Sequence, residues 1–216
     1  MSYNVHGNES SSTEAAMKTA HDLITKYTDW LKDIIVIIDP CINPDGRDRY
    51  VNFYNQVKST PNDTQSFTRE HLERWHNGRT NHYIFDLNRD WAWLTQLESN
   101  QRIVQYNKWL PHIHVDFHEQ GINSPYYFAP AAQRNHEIIS HFKKRFKALI
   151  VKTHAKYFNK KVWFYFTKII QLMAQYHKIR ERYLTYHSPI NLKQTYIPAM
   201  ELMRQITNHL HGRNKK

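Results

Sequence analysis

The chain predicts an α/β fold, a mixed β-sheet flanked by helices on both faces, and three features predict it. Ile34-Ile35-Val36-Ile37-Ile38 is a continuous β-branched run, as expected of a strand buried on both faces. Stretches with helical apolar spacing lie on either side of it, as crossover connections require. Short strand-like segments end in clusters of His, Asp, Asn and Arg, and in α/β sheets the chemistry collects at strand ends.

Taken in order, Ser11-x-x-Glu14 offers a capping box, and Ala16, Ala20, Leu23, Tyr27 and Leu31 repeat at helical spacing, predicting one amphipathic helix over about 12–32. The strand over 34–38 follows, and Asn43-Pro44-Asp45-Gly46 ends it in a turn. Residues 47–82 are polar, with Pro61, Asn62 and Asp63 marking a loop; a long irregular stretch in a compact domain is usually functional. Trp93, Leu97, Val104 and Trp109 predict a helix over 91–109, which Pro111 stops. Ile113 to Phe117 is a short strand, and helix signals resume from Arg134 to about Thr153.

A length of 216 residues fits one domain. The longest apolar run, 34–38, is far too short to span a bilayer, and the first residues show no export-signal pattern. Cys41 is the single cysteine, which excludes an internal disulfide and leaves any zinc site to His and carboxylate ligands. The net charge of +11 comes from one end of the chain: residues 1–140 hold 13 Lys/Arg against 17 Asp/Glu, whereas 141–216 hold 17 against 2. Lys178, Arg180, Arg182, Lys193 and Arg204 alternate there with Tyr176, Tyr183, Tyr186 and Tyr196, a pattern compatible with a single-stranded nucleic-acid surface. No nucleic-acid motif accompanies the charge, so no nucleic-acid partner is expected.

His6-Gly7-Asn8-Glu9 supplies an imidazole and a carboxylate three residues apart, half of a zinc site. Alone it decides nothing, since this composition gives about 0.6 such pairs by chance. Along the strand at 113–117, His114, Asp116 and His118 share one face while Ile113, Val115 and Phe117 share the other, so the polar set must find partners or a metal. In Phe85-Asp86-Leu87-Asn88-Arg89-Asp90-Trp91 an arginine fork beside an amide suits a carboxylate; in isolation it would read as a surface ion pair of Arg89 with Asp86 or Asp90.

With His-x-x-Glu, Asn-Pro-Asp-Gly, Asp-Leu-Asn-Arg and Asp-Phe-His-Glu in that order, the chain resembles the zinc carboxypeptidase family of metallopeptidases over roughly residues 1–168. The resemblance implies that His6, Glu9 and His118 bind Zn2+ with a water as fourth ligand. It implies that Asn88 and Arg89 hold the free carboxylate at the end of a peptide, and that Arg79, with Arg74 nearby, polarises the scissile carbonyl. A zinc-activated water and a general-base glutamate would then hydrolyse the C-terminal peptide bond of peptide or protein substrates. Intact members of such a family are often extracellular or periplasmic.

The family's general-base glutamate has no recognisable counterpart. Glu181 and Glu201 are the only late carboxylates, and Glu119, as the neighbour of His118 on a strand, should face the other way. Beyond Lys168 the resemblance fades. The expectation is a partial catalytic domain over 1–168 with an incomplete sheet, a basic tail over 169–216, and a chain that is a fragment of a longer enzyme. Two other readings stand beside it: a catalytically dead relative that binds zinc and peptide ends, and a nucleic-acid-binding module built on the tail.

Overall fold

The computed structural model describes residues 1–119, 126–127, 152–162 and 165–166. Most of the helix expected from Arg134, both late glutamates and the basic tail lie outside these residues. The chain divides into two compact units, one made of Met1–Asp22 and Val36–Glu119, the other of Leu23–Ile35 and Gln120–Lys216.

In the first unit the opening residues run between two parallel neighbours, with Ser2 bridging Asp39 on one side and Asp116 on the other. Tyr3 N donates to Asp39 O at 3.0 Å and Asp39 N to Met1 O at 2.9 Å, while Ser2 N donates to Val115 O at 2.8 Å and Phe117 N to Ser2 O at 3.0 Å. Alternation along these short ladders sends Tyr3 and Phe117 to one face, where their rings stack 4.6 Å apart, both buried. Val5, Ile42 and Leu87 form an adjoining buried cluster.

The run at 34–38 is not the fully buried strand that its composition predicts. Ile35 is 75 % exposed and Ile37 40 % exposed. Pairing with the opening residues begins only at the Ile37 carbonyl and Asp39, so one side of the run has no covering layer among the described residues. β-Branched composition sets strand propensity, but burial depends on what packs above and below.

Helix α1 spans Ser11–Thr25 and stops short of the expected residue 32; a 3-10 turn covers Thr28–Lys32, where Tyr27 stacks on Trp30 at 4.3 Å. The anticipated capping pair is engaged elsewhere, with Glu14 on Arg47 and the Ser11 backbone N–H and hydroxyl on Glu119. Helix α2, Pro44–Val57, occupies part of the stretch expected to be irregular. Asn43-Pro44 starts this helix rather than ending a strand: the Asn43 side chain accepts from Gly46 N at 2.9 Å and Pro44 takes the first helical position. Its apolar periodicity is weak because it packs through backbone and guanidinium. A Cβ on Gly46 would overlap the Gly78 carbonyl, and Arg49 donates to the carbonyls of Asn77, Thr80 and Asn81 at 3.0–3.1 Å.

Helix α3 spans Leu97–Trp109, shorter than the expected 91–109. Asp90 fixes its start by accepting from Thr95 N and Gln96 N, each at 2.9 Å. Leu110 closes it in the left-handed region at φ 42°, with Pro111 next. The residues that predicted it, Trp93, Leu97, Val104 and Trp109, are half exposed or more, whereas Ser99 is buried and Arg102 lies 3.5 Å over the Trp91 ring.

In the second unit, strands β1 (Tyr126–Tyr127) and β2 (Tyr165–Phe166) pair in parallel, and helix α4 covers Lys152–Lys161 with Phe158 buried. No described helix is long and apolar enough to cross a membrane.

Candidate metal centre

The chain leaves the core at Val5 and turns at once through His6–Glu9, where Glu9 N donates to His6 O at 3.0 Å, before entering α1. Gly7 is required at this turn, since a Cβ would overlap the Gly46 backbone at the start of α2. Gly46 in turn lies against Gly78, so three glycines bring the 6–9 turn, α2 and the loop carrying Arg79 into backbone contact.

This packing fixes His6 and Glu9, and the segment after Asp116 delivers His118 to them. His6, Glu9 and His118 each offer a ligand atom, all within 4.8 Å of one another. His6 Nδ1 is 2.8 Å from Glu9 Oε1, and His118 Nδ1 is 3.1 Å from Glu9 Oε2. Each imidazole's other nitrogen meets an aspartate: His6 Nε2 lies 3.0 Å from Asp86 Oδ1, and His118 Nε2 lies 2.9 Å from Asp116 Oδ2. The His6 and Glu9 side chains are largely enclosed, whereas the His118 side chain is 30 % exposed and marks the open side.

Burial opposes charge on Glu9, but hydrogen bonds from His118 and His6 outweigh it and hold the carboxyl at about 2. Burial would likewise lower His118, yet its bonds to Asp116 and Glu9 raise it to about 10. Three carboxylates, Glu9, Asp86 and Asp116, face the two imidazoles, and Asp86 also pairs with Arg79, a concentration of negative charge that suits a cation.

Asp86 joins the remaining candidates to this group. Its Oδ1 accepts from Asn88 N at 2.9 Å as well as facing His6, and its Oδ2 accepts from Arg79 Nε at 3.1 Å and Nη2 at 3.0 Å. Desolvation raises the Asp86 pKa, but the charge and hydrogen bond of His6 and the charge of Arg79 bring it below its ordinary value. The surface ion pair with Arg89 that the sequence suggested in isolation is replaced by these contacts. Asn88 and Arg89 sit on a 3-10 turn, Leu87–Arg89, whose only buried member is Leu87; the Arg89 guanidinium is exposed, with Nη1 donating to Asn88 O at 3.3 Å. Asp90 is committed to the start of α3.

Glu119 donates its backbone N–H to Glu9 Oε2 at 2.9 Å, while its carboxylate accepts from the Ser11 N–H and hydroxyl at the start of α1. It therefore serves that helix end, where negative charge is favoured. Sequence reasoning did not assign Asp86 and Asp116 as partners of the histidines. Asp116 was visible in the Asp-Phe-His spacing, two residues from His118 on a strand face; Asp86 carried no such signal, because its partner is 80 positions away.

A family model described as zinc carboxypeptidase matches residues 1–150. No curated protein and no solved structure matches the chain. The matched span contains the 6–9 turn, Arg79, the Asp86–Arg89 segment and His118, and by that match the chain belongs to the zinc carboxypeptidase family.

Proposed function

We propose that the chain is a zinc-dependent metallocarboxypeptidase in which His6, Glu9 and His118 hold Zn2+, acting on the C-terminal peptide bond of peptide or protein substrates. The observation that carries this is the convergence of two Nδ1 atoms on one carboxylate, with each Nε2 facing an aspartate. The donor set fits zinc, whose bonds of ~2.0–2.1 Å put tetrahedral ligands about 3.3 Å apart. An Nε2–H given to a carboxylate leaves Nδ1 as the ligating nitrogen and makes it a stronger donor. A bound zinc ion would lower the pKa of a water and polarise a carbonyl.

The protein's own residues do the rest. Arg79, held by Asp86 beside His6, stabilises charge developing on the scissile carbonyl oxygen. The exposed Arg89 with Asn88 receives the terminal carboxylate, which restricts cleavage to chain ends. A mixed sheet flanked by helices belongs to this reading, and the parallel pairing around Ser2 supports it. A second reading, a relative that binds zinc and peptide ends without cutting, is favoured by one observation: the carboxylate of Glu119, the glutamate beside His118, is engaged by Ser11.

The test is release of the C-terminal amino acid from a blocked dipeptide by zinc-loaded protein. Release that stops on chelation and is absent with the C-terminal amide supports the peptidase. Stoichiometric zinc and saturable peptide binding with no release selects the second reading.

A further inference from the structure

Asn4 lies two residues before His6, is fully buried, and sits in the left-handed region at φ 56°. Asparagine is among the few residues that enter this region readily. The unusual backbone has a consequence: it turns the side chain back under the 6–9 turn. Asn4 Nδ2 donates to His6 O at 3.1 Å and Glu9 O at 3.0 Å, with a longer contact to Gly7 O at 3.4 Å. Its Oδ1 accepts from Cys41 Sγ at 3.4 Å, which fixes which way round the amide lies. Asn4 O accepts from Asn43 N at 3.1 Å, tying the residue to the entry of α2.

We infer that Asn4 is a positioning residue for the metal centre, its amide clamping the backbone of both ligand-bearing ends of the turn, His6 and Glu9. This rests on the zinc reading above and deepens it. The turn is four residues long and its own backbone cross-link is the Glu9 N to His6 O bond. Without the amide, the carbonyls of His6 and Glu9 each lose one donor, keeping only Glu9 N and the Ser12 N–H and hydroxyl respectively, and their side chains lose the fixed platform that keeps Nδ1 and Oε1 on one point. The sequence gives no warning of this role, since a donor to nearby carbonyls has no fixed spacing to its targets.

The experiment compares zinc affinity, by competition with a chromogenic chelator, and the visible d–d spectrum of the cobalt-loaded protein in the unaltered chain, Asn4→Gly, Asn4→Asp and Cys41→Ala. Asn4→Gly keeps the backbone free to adopt φ 56° and removes only the amide; Asn4→Asp keeps the shape but cannot donate to carbonyls. Both are expected to bind zinc ~10–100-fold more weakly and to shift the cobalt spectrum. Cys41→Ala, the mildest change, should weaken zinc about threefold, as loss of one weak hydrogen bond implies. Glu70→Gln, in the 3-10 turn Arg69–His71 and bonded to Ser59, Asn62 and Asp63 rather than to a metal ligand, is expected to lower the melting temperature in chelator and leave zinc affinity unchanged. The inference is overturned if the unaltered chain binds zinc and both Asn4 variants bind within twofold of it with the same cobalt spectrum. It is equally overturned if Glu70→Gln weakens zinc as much for the same loss of melting temperature. Should either Asn4 variant fail to fold, unchanged affinity and spectrum in Cys41→Ala would overturn it. Absence of zinc binding by the unaltered chain instead removes the metal reading itself, and this inference with it.

Discussion

His6 Nε2 stands 3.0 Å from Asp86 Oδ1, and Arg79 Nη2 stands 3.0 Å from the other oxygen of that carboxylate. One side chain therefore orients a metal-ligand candidate and the arginine proposed to meet the substrate carbonyl. Asn88 N, on the turn that carries Arg89, donates to the same carboxylate at 2.9 Å. Replacing this carboxylate should disturb metal and arginine together.

Asp86→Asn keeps the size of the side chain but loses the charge that favours an Nε2–H donor on His6. Zinc affinity should fall ~10–100-fold by chelator competition. Affinity within threefold of the unaltered chain would mean that His6 is oriented by its packing alone.

Arg79→Ala should lower kcat by ~10²–10³ with a smaller change in KM, the pattern for a donor whose interaction strengthens as charge develops. Steady-state kinetics on a blocked dipeptide measures this. A change confined to KM would reassign Arg79 to ground-state binding.

Arg89→Ala should cut kcat/KM on a peptide with a free C-terminus by roughly 10²-fold, from loss of charge-assisted hydrogen bonds to the carboxylate. A C-terminally amidated peptide separates the roles, because its weak turnover or binding should be unaffected by the substitution. Equal losses on both peptides would argue against the clamp.

Acid should unfold the metal-free chain through two carboxyls outside the metal centre. Burial raises the Asp90 pKa, but hydrogen bonds from Thr95 and Gln96 N–H overcome it and hold the group at about 2. Glu70, accepting from Ser59 N, Asn62 Nδ2 and Asp63 N, is also held at about 2. Both folded values lie below the ordinary 3.8 and 4.5, so the unfolded chain takes up protons first as pH falls. Their stabilisation is complete above about pH 5 and is lost between there and about pH 2. Thermal melts in chelator across this window should show falling midpoints, with shallower slopes in Asp90→Asn and Glu70→Gln.

The grouping of His6, Glu9 and His118 was legible because each lies in a short motif whose spacing is set by chain geometry, a four-residue turn and a strand face. Asp86 was not, because its partner His6 is brought to it by the approach of Gly7, Gly46 and Gly78, and three glycines in a polar sequence announce no contact; Asn4 was not, because an amide donating to carbonyls two to five residues on has no fixed spacing to them. The same approach explains why α2 was missed: its inward face is a glycine and two arginines bonded to carbonyls, so no apolar stripe marks it. The opposite error arose at 34–38 and on α3, where apolar residues predicted burial that the described residues do not provide. Pro111 after α3, by contrast, is a local stop that acts whatever packs around it.

The most direct measurement is the zinc content of the zinc-equilibrated, dialysed protein beside its His6→Ala and His118→Ala variants, by elemental analysis. One zinc per chain is expected, falling below about a tenth of that in both variants. Less than about half an equivalent in the unaltered chain, or full zinc in the variants, would contradict a metal centre built from His6, Glu9 and His118.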